Sequence, residues 1–213
     1  MKSPRVLLAD DHAIVLEGLR RILEPDFEIV AVVADGRALV AAAEELQPDL
    51  IVADISMPLL NGIEAARQIR KSNRKVKIIF LSMHPDVTYA AVALGAGGSA
   101  YVLKSSAGDE ILVAIQEAMA GRIYVTPSID VGLVRAQMTR ASRRNDLQVK
   151  LTPRQREVLQ LIAEGRTSKE MAKILNLSPR TIEFHKYRIT EALALHTTAE
   201  LVQFAVRAGI VPD

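Results

Sequence analysis

The segment Arg5-Val6-Leu7-Leu8-Ala9-Asp10-Asp11-His12 is a short, almost continuously apolar run that ends on two adjacent carboxylates. Such a run is too short for a typical helix, and its lack of polar alternation describes a parallel strand covered on both faces. Four more runs of this kind follow at Ile29–Val33, Leu50–Ala53, Val76–Leu81 and Ala100–Leu103. Between and after them, apolar residues recur at helical spacing over about 12–23, 36–46, 62–71, 87–95 and 107–120. Five strand–helix repeats predict an α/β domain with a five-stranded parallel sheet over residues 1–121, with Gly121 as the last helix stop.

The chain has 213 residues, of which 49% are hydrophobic and 24% charged, close to a globular average. It contains no Cys, which excludes a disulfide scaffold, a thiol nucleophile and a thiolate zinc site. No apolar run approaches the ~18 residues of a membrane span, and Met1-Lys2-Ser3-Pro4 leads directly into the first strand, so a soluble cytoplasmic protein with no membrane partner is expected. The net charge of +2 hides an asymmetry. Residues 1–125 carry 13 Lys and Arg against 16 Asp and Glu, whereas residues 126–213 carry 14 against 9. A basic second part suggests a polyanionic partner.

From 122 to 150 the pattern weakens. Ile129–Met138 could form a short amphipathic helix, and Arg140, Arg143, Arg144, Asn145 and Asp146 follow without apolar rhythm, so these residues read as a linker. From Leu151 to 213 helices are announced by caps: Thr152-Pro153-Arg154-Gln155, Thr167-Ser168-Lys169-Glu170, Ser178-Pro179 and Thr197-Thr198-Ala199-Glu200. The prediction is an all-α domain of four helices, with little room for an enzyme cleft.

Two sites emerge. In an open parallel sheet of order 2-1-3-4-5, ligands bind beyond the carboxyl ends of the strands where the order reverses, between strands one and three. Asp10, Asp11 and Asp54 would meet there, with Ser82 and Lys104 on the same rim. Three clustered carboxylates resist joint ionisation without a cation, and an all-oxygen set suits Mg2+. A metal, a cation and an acceptor carboxylate are the parts of phosphoryl transfer. Each residue alone has a bland reading, as a turn-former or a solvated charge; their common position at the strand ends is what gives the set meaning. His12 reads as a surface or capping residue. In the second domain, the helix Arg180–Leu193 buries Ile182, His185, Ile189 and Leu193, and the tight Asn176-Leu177-Ser178 turn before it makes a helix-turn-helix. Lys169, Arg180, Lys186 and Arg188 could neutralise phosphates of double-stranded DNA, with Ser178 and Thr181 donating at the helix N-terminus. Glu183 could accept from a cytosine amino group, and Phe184 could meet a thymine methyl. Phe184 and Tyr187 lie on the outer face, where a stable domain gains little from exposed aromatics.

These motifs carry a resemblance. Residues 3–120 resemble a response-regulator receiver domain, through Asp10-Asp11, Asp54-Ile55-Ser56-Met57-Pro58-Leu59-Leu60-Asn61-Gly62, Leu81-Ser82 and Tyr101-Val102-Leu103-Lys104. Residues 151–213 resemble the DNA-binding domain of the NarL/FixJ (LuxR-type) regulators, through Leu151–Leu159, Gly165–Ala172, Thr181–His185 and Thr198–Val202. The resemblance implies a flavodoxin-like receiver and Asp54 as phosphoacceptor. It implies direct Mg2+ ligation by Asp11, Asp54 and the Ser56 backbone carbonyl, with Asp10 acting through water. It also implies Lys104 as the phosphoryl partner, and Ser82 and Tyr101 as a switch pair, although Tyr101 reads equally well as a core aromatic. Ser56 and His84 would tune phosphoryl lifetime. The implied partners are a cognate sensor histidine kinase, DNA, a second copy when phosphorylated or DNA-bound, and RNA polymerase; no catalysis is implied beyond self-phosphorylation and autodephosphorylation.

Three rivals stand beside this reading. An aspartate-nucleophile phosphatase or nucleotide-binding domain lacks its motifs, since Asp10-Asp11-His12 has neither the glycines of a pyrophosphate loop nor a second Asp two residues after Asp10. A constitutive DNA binder would have no use for the acidic set with Lys104. A small-molecule sensor is at odds with the receiver-like first domain.

Overall fold

The computed structural model describes residues 3–143 and 151–211, with backbone alone described at 140–143. The strands are β1 (Arg5–Ala9), β2 (Glu28–Val33), β3 (Leu50–Asp54), β4 (Lys77–Ser82), β5 (Ala100–Leu103) and β6 (Tyr124–Val125). They form one parallel sheet in the order β2-β1-β3-β4-β5-β6. The helices between them are α1 (Ala13–Leu23), α2 (Gly36–Leu46), α3 (Gly62–Ser72), α4 (Val87–Gly95) and α5 (Ala107–Met119), with a 3-10 turn at Lys104–Ser106.

The apolar runs alternate inside the sheet although both faces are covered. Leu7, Ala9, Ile51, Ala53, Ile78, Phe80 and Tyr101 face α2, α3 and α4. Val6, Leu8, Leu50, Val52, Ile79, Leu81 and Val102 face α1 and α5. Two buried faces explain the near-absence of polar residues in these strands.

The expected count of five strands needs correction, because the first residues of the segment read as linker add a sixth. Tyr124 and Thr126 donate backbone hydrogen bonds to the carbonyls of Ser99 and Tyr101 at 3.2 and 2.9 Å, and Val125 is buried. A two-residue strand is below what periodicity can register. The short linker helix is longer and later than expected, α6 (Val131–Arg143), and it packs along α4 with Val134 fully buried. The remaining polar linker residues Arg144, Asn145 and Asp146 lie outside the described residues.

The second part holds four helices: α7 (Pro153–Ala163), α8 (Ser168–Leu175), α9 (Pro179–Leu193) and α10 (Thr198–Arg207). Thr152, Thr167 and Thr197 each form a complete capping box with the Gln or Glu three residues on, and the Ser178 hydroxyl accepts from the Thr181 amide. Asn176 ends α8 in the left-handed region at φ 52°, which short polar side chains tolerate, and so turns the chain into α9. Val158, Leu161, Met171, Leu175, Ile182, Ile189 and Leu201 fill the core of this bundle.

Candidate functional site: an acidic pocket and a DNA-reading helix

The pocket is made where β1, β3 and β5 end. Asp10 is fully buried and Asp54 is 2% exposed, while Asp11 stands at the rim. Gly62 opens α3 against the backbone of Asp54; a Cβ there would lie 2.2 Å from the Asp54 carbonyl oxygen, so the close approach that seats the acceptor strand needs glycine. The Lys104 ammonium lies 2.8 Å from Asp10 Oδ2 and 2.9 Å from Asp54 Oδ2, bridging both carboxylates. Burial raises the Asp54 carboxyl above its ordinary value, and Lys104 partly opposes the shift. Burial also works against the Lys104 charge, but the hydrogen bonds and charges of Asp10 and Asp54 outweigh it and hold the ammonium above its usual value.

Ligand atoms of Asp10, Asp11, His12 and Asp54 lie within 4.8 Å of one another. Asp10 Oδ2 and Asp54 Oδ2 are buried and, apart from the ion pair, accept no hydrogen bond from the protein, so the donor set retains capacity for a hard divalent cation. His12 is exposed, as expected of a surface residue, and stands at the N-cap position of α1. Its side chain caps nothing in α1; its Nδ1 instead lies 3.0 Å from Asp10 Oδ1 and 2.8 Å from Asp11 Oδ1.

Ser82 and Tyr101 also reach this end. The Ser82 hydroxyl, 2% exposed, accepts from the His84 amide at 3.1 Å. Tyr101 is fully buried and donates from its hydroxyl to the His84 carbonyl at 2.6 Å; burial pushes its phenol up to about 12. The hydroxyl therefore meets protein rather than the water that a plain core aromatic would reach. The His84 ring stacks on Tyr89 with centroids 4.7 Å apart.

On α9, Phe184 and Tyr187 are 59% and 62% exposed beside exposed Arg180. His185 is half-buried, and desolvation lowers its imidazole below the usual value. Two of the expected base- or phosphate-contacting residues are engaged with each other: Glu183 accepts from Ser168 and pairs with Lys186 at 3.3 Å. The Ser168 hydroxyl holds the Glu183 carboxyl below its ordinary value. Arg188 pairs with Glu191 at 2.9 Å, and Lys169 is exposed.

Residues 6–116 match the family described as response regulator receiver domain, and residues 149–205 match bacterial regulatory proteins of the luxR family. The transcriptional regulatory protein MctR of Rhizobium johnstonii is 32% identical over 97% of this chain and 95% of its own. The response regulator UvrY of Escherichia coli is 33% identical over 96% and 94%. A solved structure of RcsB from Salmonella typhimurium covers the whole of both chains at 27% identity with a TM-score of 0.65. This chain belongs to the response regulators. It joins a receiver to a LuxR-type DNA-binding domain, and it is a transcription regulator. Among its described residues no helix is long and apolar enough to cross a membrane.

The response regulator holds its two domains against each other by contacts that its sequence did not announce. The loop after Asp54 docks on α7 and its C-cap Glu164. Gln160, 1% exposed, accepts from the Asn61 amide at 2.8 Å and donates to the Met57 carbonyl at 3.0 Å. Glu164 Oε1 accepts from the Leu59 amide at 2.9 Å, and the Leu59 side chain packs on the helical core. Around them Arg37 and Gln68 reach Glu157, Arg156 reaches Glu64, and the Asn61 side chain donates to the Ile210 carbonyl. One signal was present: Gln160 interrupts the apolar run Val158-Leu159-Gln160-Leu161-Ile162, a polar group on a buried face that must find partners.

Proposed function

We propose that this regulator receives a phosphoryl group on Asp54 from a cognate histidine kinase in the cytoplasm. The observation that carries the reading is the convergence of Asp10, Asp11 and Asp54 on Lys104 in one pocket. Mg2+ held by Asp11, Asp54 and the Ser56 carbonyl, with Asp10 behind a water, would neutralise charge on the transferring group. An Asp54 oxygen attacks phosphorus in line, the P–N bond of the phosphohistidine donor breaks, and its electron pair leaves with the imidazole. The Lys104 ammonium, already between Asp10 and Asp54, turns to the phosphoryl oxygens. The Ser82 hydroxyl stands at the same strand end to donate to them, and Tyr101 packs behind it. The receiver, read from the sequence as 1–121 and extended by β6 and α6, serves this chemistry, the rest of 122–150 joins it to the second part, and 151–213 reads DNA.

For the reader, Arg180, Lys169, Ser178 and Thr181 would hold phosphates, and Phe184 and Tyr187 would face the bases. Glu183, Lys186 and Arg188 would have to exchange their present partners for DNA, so these three act after docking. Because one helical unit contacts one half-site, a pair of copies on two half-sites is the functional form. RNA polymerase is a further proposed contact of the DNA-bound pair.

The test combines two measurements. Asp54→Ala is expected to abolish labelling by acetyl phosphate; undiminished labelling would reject the acceptor. Selection from a random DNA pool, with and without acetyl phosphate, is expected to return one motif that is enriched further by the phosphodonor; no enrichment over input would reject sequence-specific reading.

A further inference from the structure

We propose that a cleft at the amino-terminal end of the receiver sheet, at the far end of the strands from Asp54, binds a small phosphate-bearing anion. This site is independent of the phosphoacceptor reading and gives the receiver a second ligand.

The sequence concentrates charge there. Residues 1–125 carry more acids than bases, yet Arg70-Lys71-Ser72-Asn73-Arg74-Lys75-Val76-Lys77 holds five cations and no carboxylate, and Arg122 adds a sixth. This run closes α3, turns, and opens β4 at Lys77, while Gly97-Gly98-Ser99 leads into β5 and Gly121-Arg122 toward β6. Parallel strands bring the three segments to one end of the sheet, as they bring Asp10, Asp54 and Lys104 to the other. Between the segments lies an open cleft of about 140 Å3, lined by Arg70, Lys77, Ser99 and Arg122 among others, but by no carboxylate and no aromatic ring. Since ~10–15 Å3 suffices for one water, the cleft admits a tetrahedral oxyanion.

The cations are engaged to different degrees. Arg70 is fixed in the wall: Nε and Nη2 donate to the Gly97 carbonyl at 3.0 and 2.5 Å, and Nη1 to the Arg74 and Val76 carbonyls at 2.9 and 2.6 Å. Gly97 permits this approach, because at its φ of 105° a Cβ would lie 2.7 Å from Arg70 Nε. Four of the five guanidinium N–H groups are thus taken and one remains. All the partners are carbonyls, which satisfy hydrogen bonds without neutralising the charge, and burial lowers this guanidinium below its usual value. Arg122 pairs with Glu117 at 2.5 Å and adds no net charge. Lys77 is half-buried, and among the described residues its ammonium has neither a carboxylate nor a hydrogen-bond acceptor. The Ser99 hydroxyl accepts from the Ile78 amide at 3.4 Å and keeps its own proton to donate. Two uncompensated positive charges and free donors on three side chains therefore line one concave space. A phosphoryl group, with about −1.5 to −2 charge and three acceptor oxygens, answers both.

Shape and position separate such an anion from DNA. A duplex carries its phosphates on a convex rod that cannot enter a cleft of this size, and the DNA-binding domain docks on residues 57–61 at the other end of the sheet.

The experiment is a titration of the full chain with sodium pyrophosphate, followed in proton–nitrogen correlation spectra at constant ionic strength. Chelator keeps metal out of the acidic pocket, which then repels the anion. Saturable shifts are expected at the amides of Gly97, Gly98, Ser99 and Gly121. Adenosine diphosphate is expected to bind within a few-fold of pyrophosphate, because no ring in the cleft would hold the base. Lys77→Met, which keeps most of the stem, should weaken binding on the order of tenfold, as for loss of one charge-assisted hydrogen bond. Lys173→Met, exposed on α8, should leave it unchanged. Should Lys77→Met disturb the spectrum away from the cleft, Ser99→Ala takes its place, with a several-fold weakening expected. No saturable shift at these amides, the same shifts from chloride, or wild-type affinity in the cleft variant would overturn the site. A duplex of random sequence that displaces pyrophosphate from these amides would overturn the small anion in favour of nucleic acid. Failure of the acceptor reading looks different: label that survives Asp54→Ala leaves the pyrophosphate shifts as they were.

Discussion

Lys104→Met isolates what the buried ammonium does for the pocket. In the native chain this ammonium bridges Asp10 and Asp54, whose side chains are 0% and 3% exposed, at 2.8 and 2.9 Å. Methionine keeps most of the stem and its packing but leaves two buried carboxylates facing each other without a cation. Removing one partner of a buried pair costs ~3–5 kcal/mol. The low end applies here, because the lysine no longer has to be desolvated itself. At ~4 °C per kcal/mol, Tm of the receiver should fall by roughly 10 °C. Metal provides the diagnostic arm. A divalent cation bound to the same carboxylates at ~100 times its Kd returns about 2.7 kcal/mol, so Mg2+ should bring the variant back close to the stability of wild type in chelator. The assay is thermal unfolding of the full chain in chelator and in saturating Mg2+, with exposed Lys75→Met as the control. A variant as stable as wild type in chelator would refute the account of crowded charge. A deficit that Mg2+ leaves untouched would show that the lost stability came from packing rather than from the carboxylates.

Three further outcomes follow from the same structure. Asp54 has a raised carboxyl, so its contribution to stability is complete only below the unfolded value of 3.8 and is lost as pH rises through the folded one. Asp54→Asn should therefore raise Tm at neutral pH by a few degrees, an advantage that shrinks on acidification toward 3.8; an advantage independent of pH would refute the charge argument. Phe184→Ala and Tyr187→Ala should each weaken binding to the selected operator by ~10–100-fold, consistent with ~1–3 kcal/mol per specific contact, and leave Tm unchanged because both rings are exposed. Thr167→Ala breaks the capping box with Glu170 and should cost ~1 kcal/mol in urea unfolding of the helical domain; no change in midpoint would deny the cap its role.

The parts of this fold that were legible in the sequence are those where neighbouring residues determine the outcome. The Thr152, Thr167 and Thr197 boxes act within three residues, and all three form. The strand runs could be read because both faces of the sheet are covered, which leaves no polar alternation to confuse them. The acidic cluster was legible at one remove, since parallel strands bring their carboxyl ends together regardless of the residues between. Legibility stopped where a long-range partner decides. Strand β6 exists because the edge of β5 offers unpaired groups, and its two residues carry no period of their own. His12 was legible as an exposed residue opening α1, but the contact of its ring with Asp10 and Asp11 was not. The domain contact depends on residues as far apart as Asn61 and Gln160, 99 positions, and only the buried amide of Gln160 hinted at it. Glu183 could be placed opposite the buried stripe and Lys186 on its flank, but their mutual pairing and the Ser168 hydroxyl between them depend on the packing of α8 on α9.

The docked arrangement also bears on how DNA reading could be controlled. A receiver that silenced its partner by covering α9 would bury Phe184 and Tyr187, yet both are largely exposed while α7 and Glu164 hold the receiver loop. Docking therefore leaves the reading face open and constrains where α9 points relative to the receiver. A single half-site makes no demand on that direction, whereas two half-sites at fixed spacing do. Wild type and Gln160→Ala should consequently bind a half-site duplex with equal affinity in anisotropy titrations at one salt concentration. The two chains should differ on a duplex with both half-sites, where the freed domains can meet the spacing. If opening the clamp improved half-site binding tenfold, the receiver would be obstructing α9 itself, and control through geometry would give way to control through occlusion.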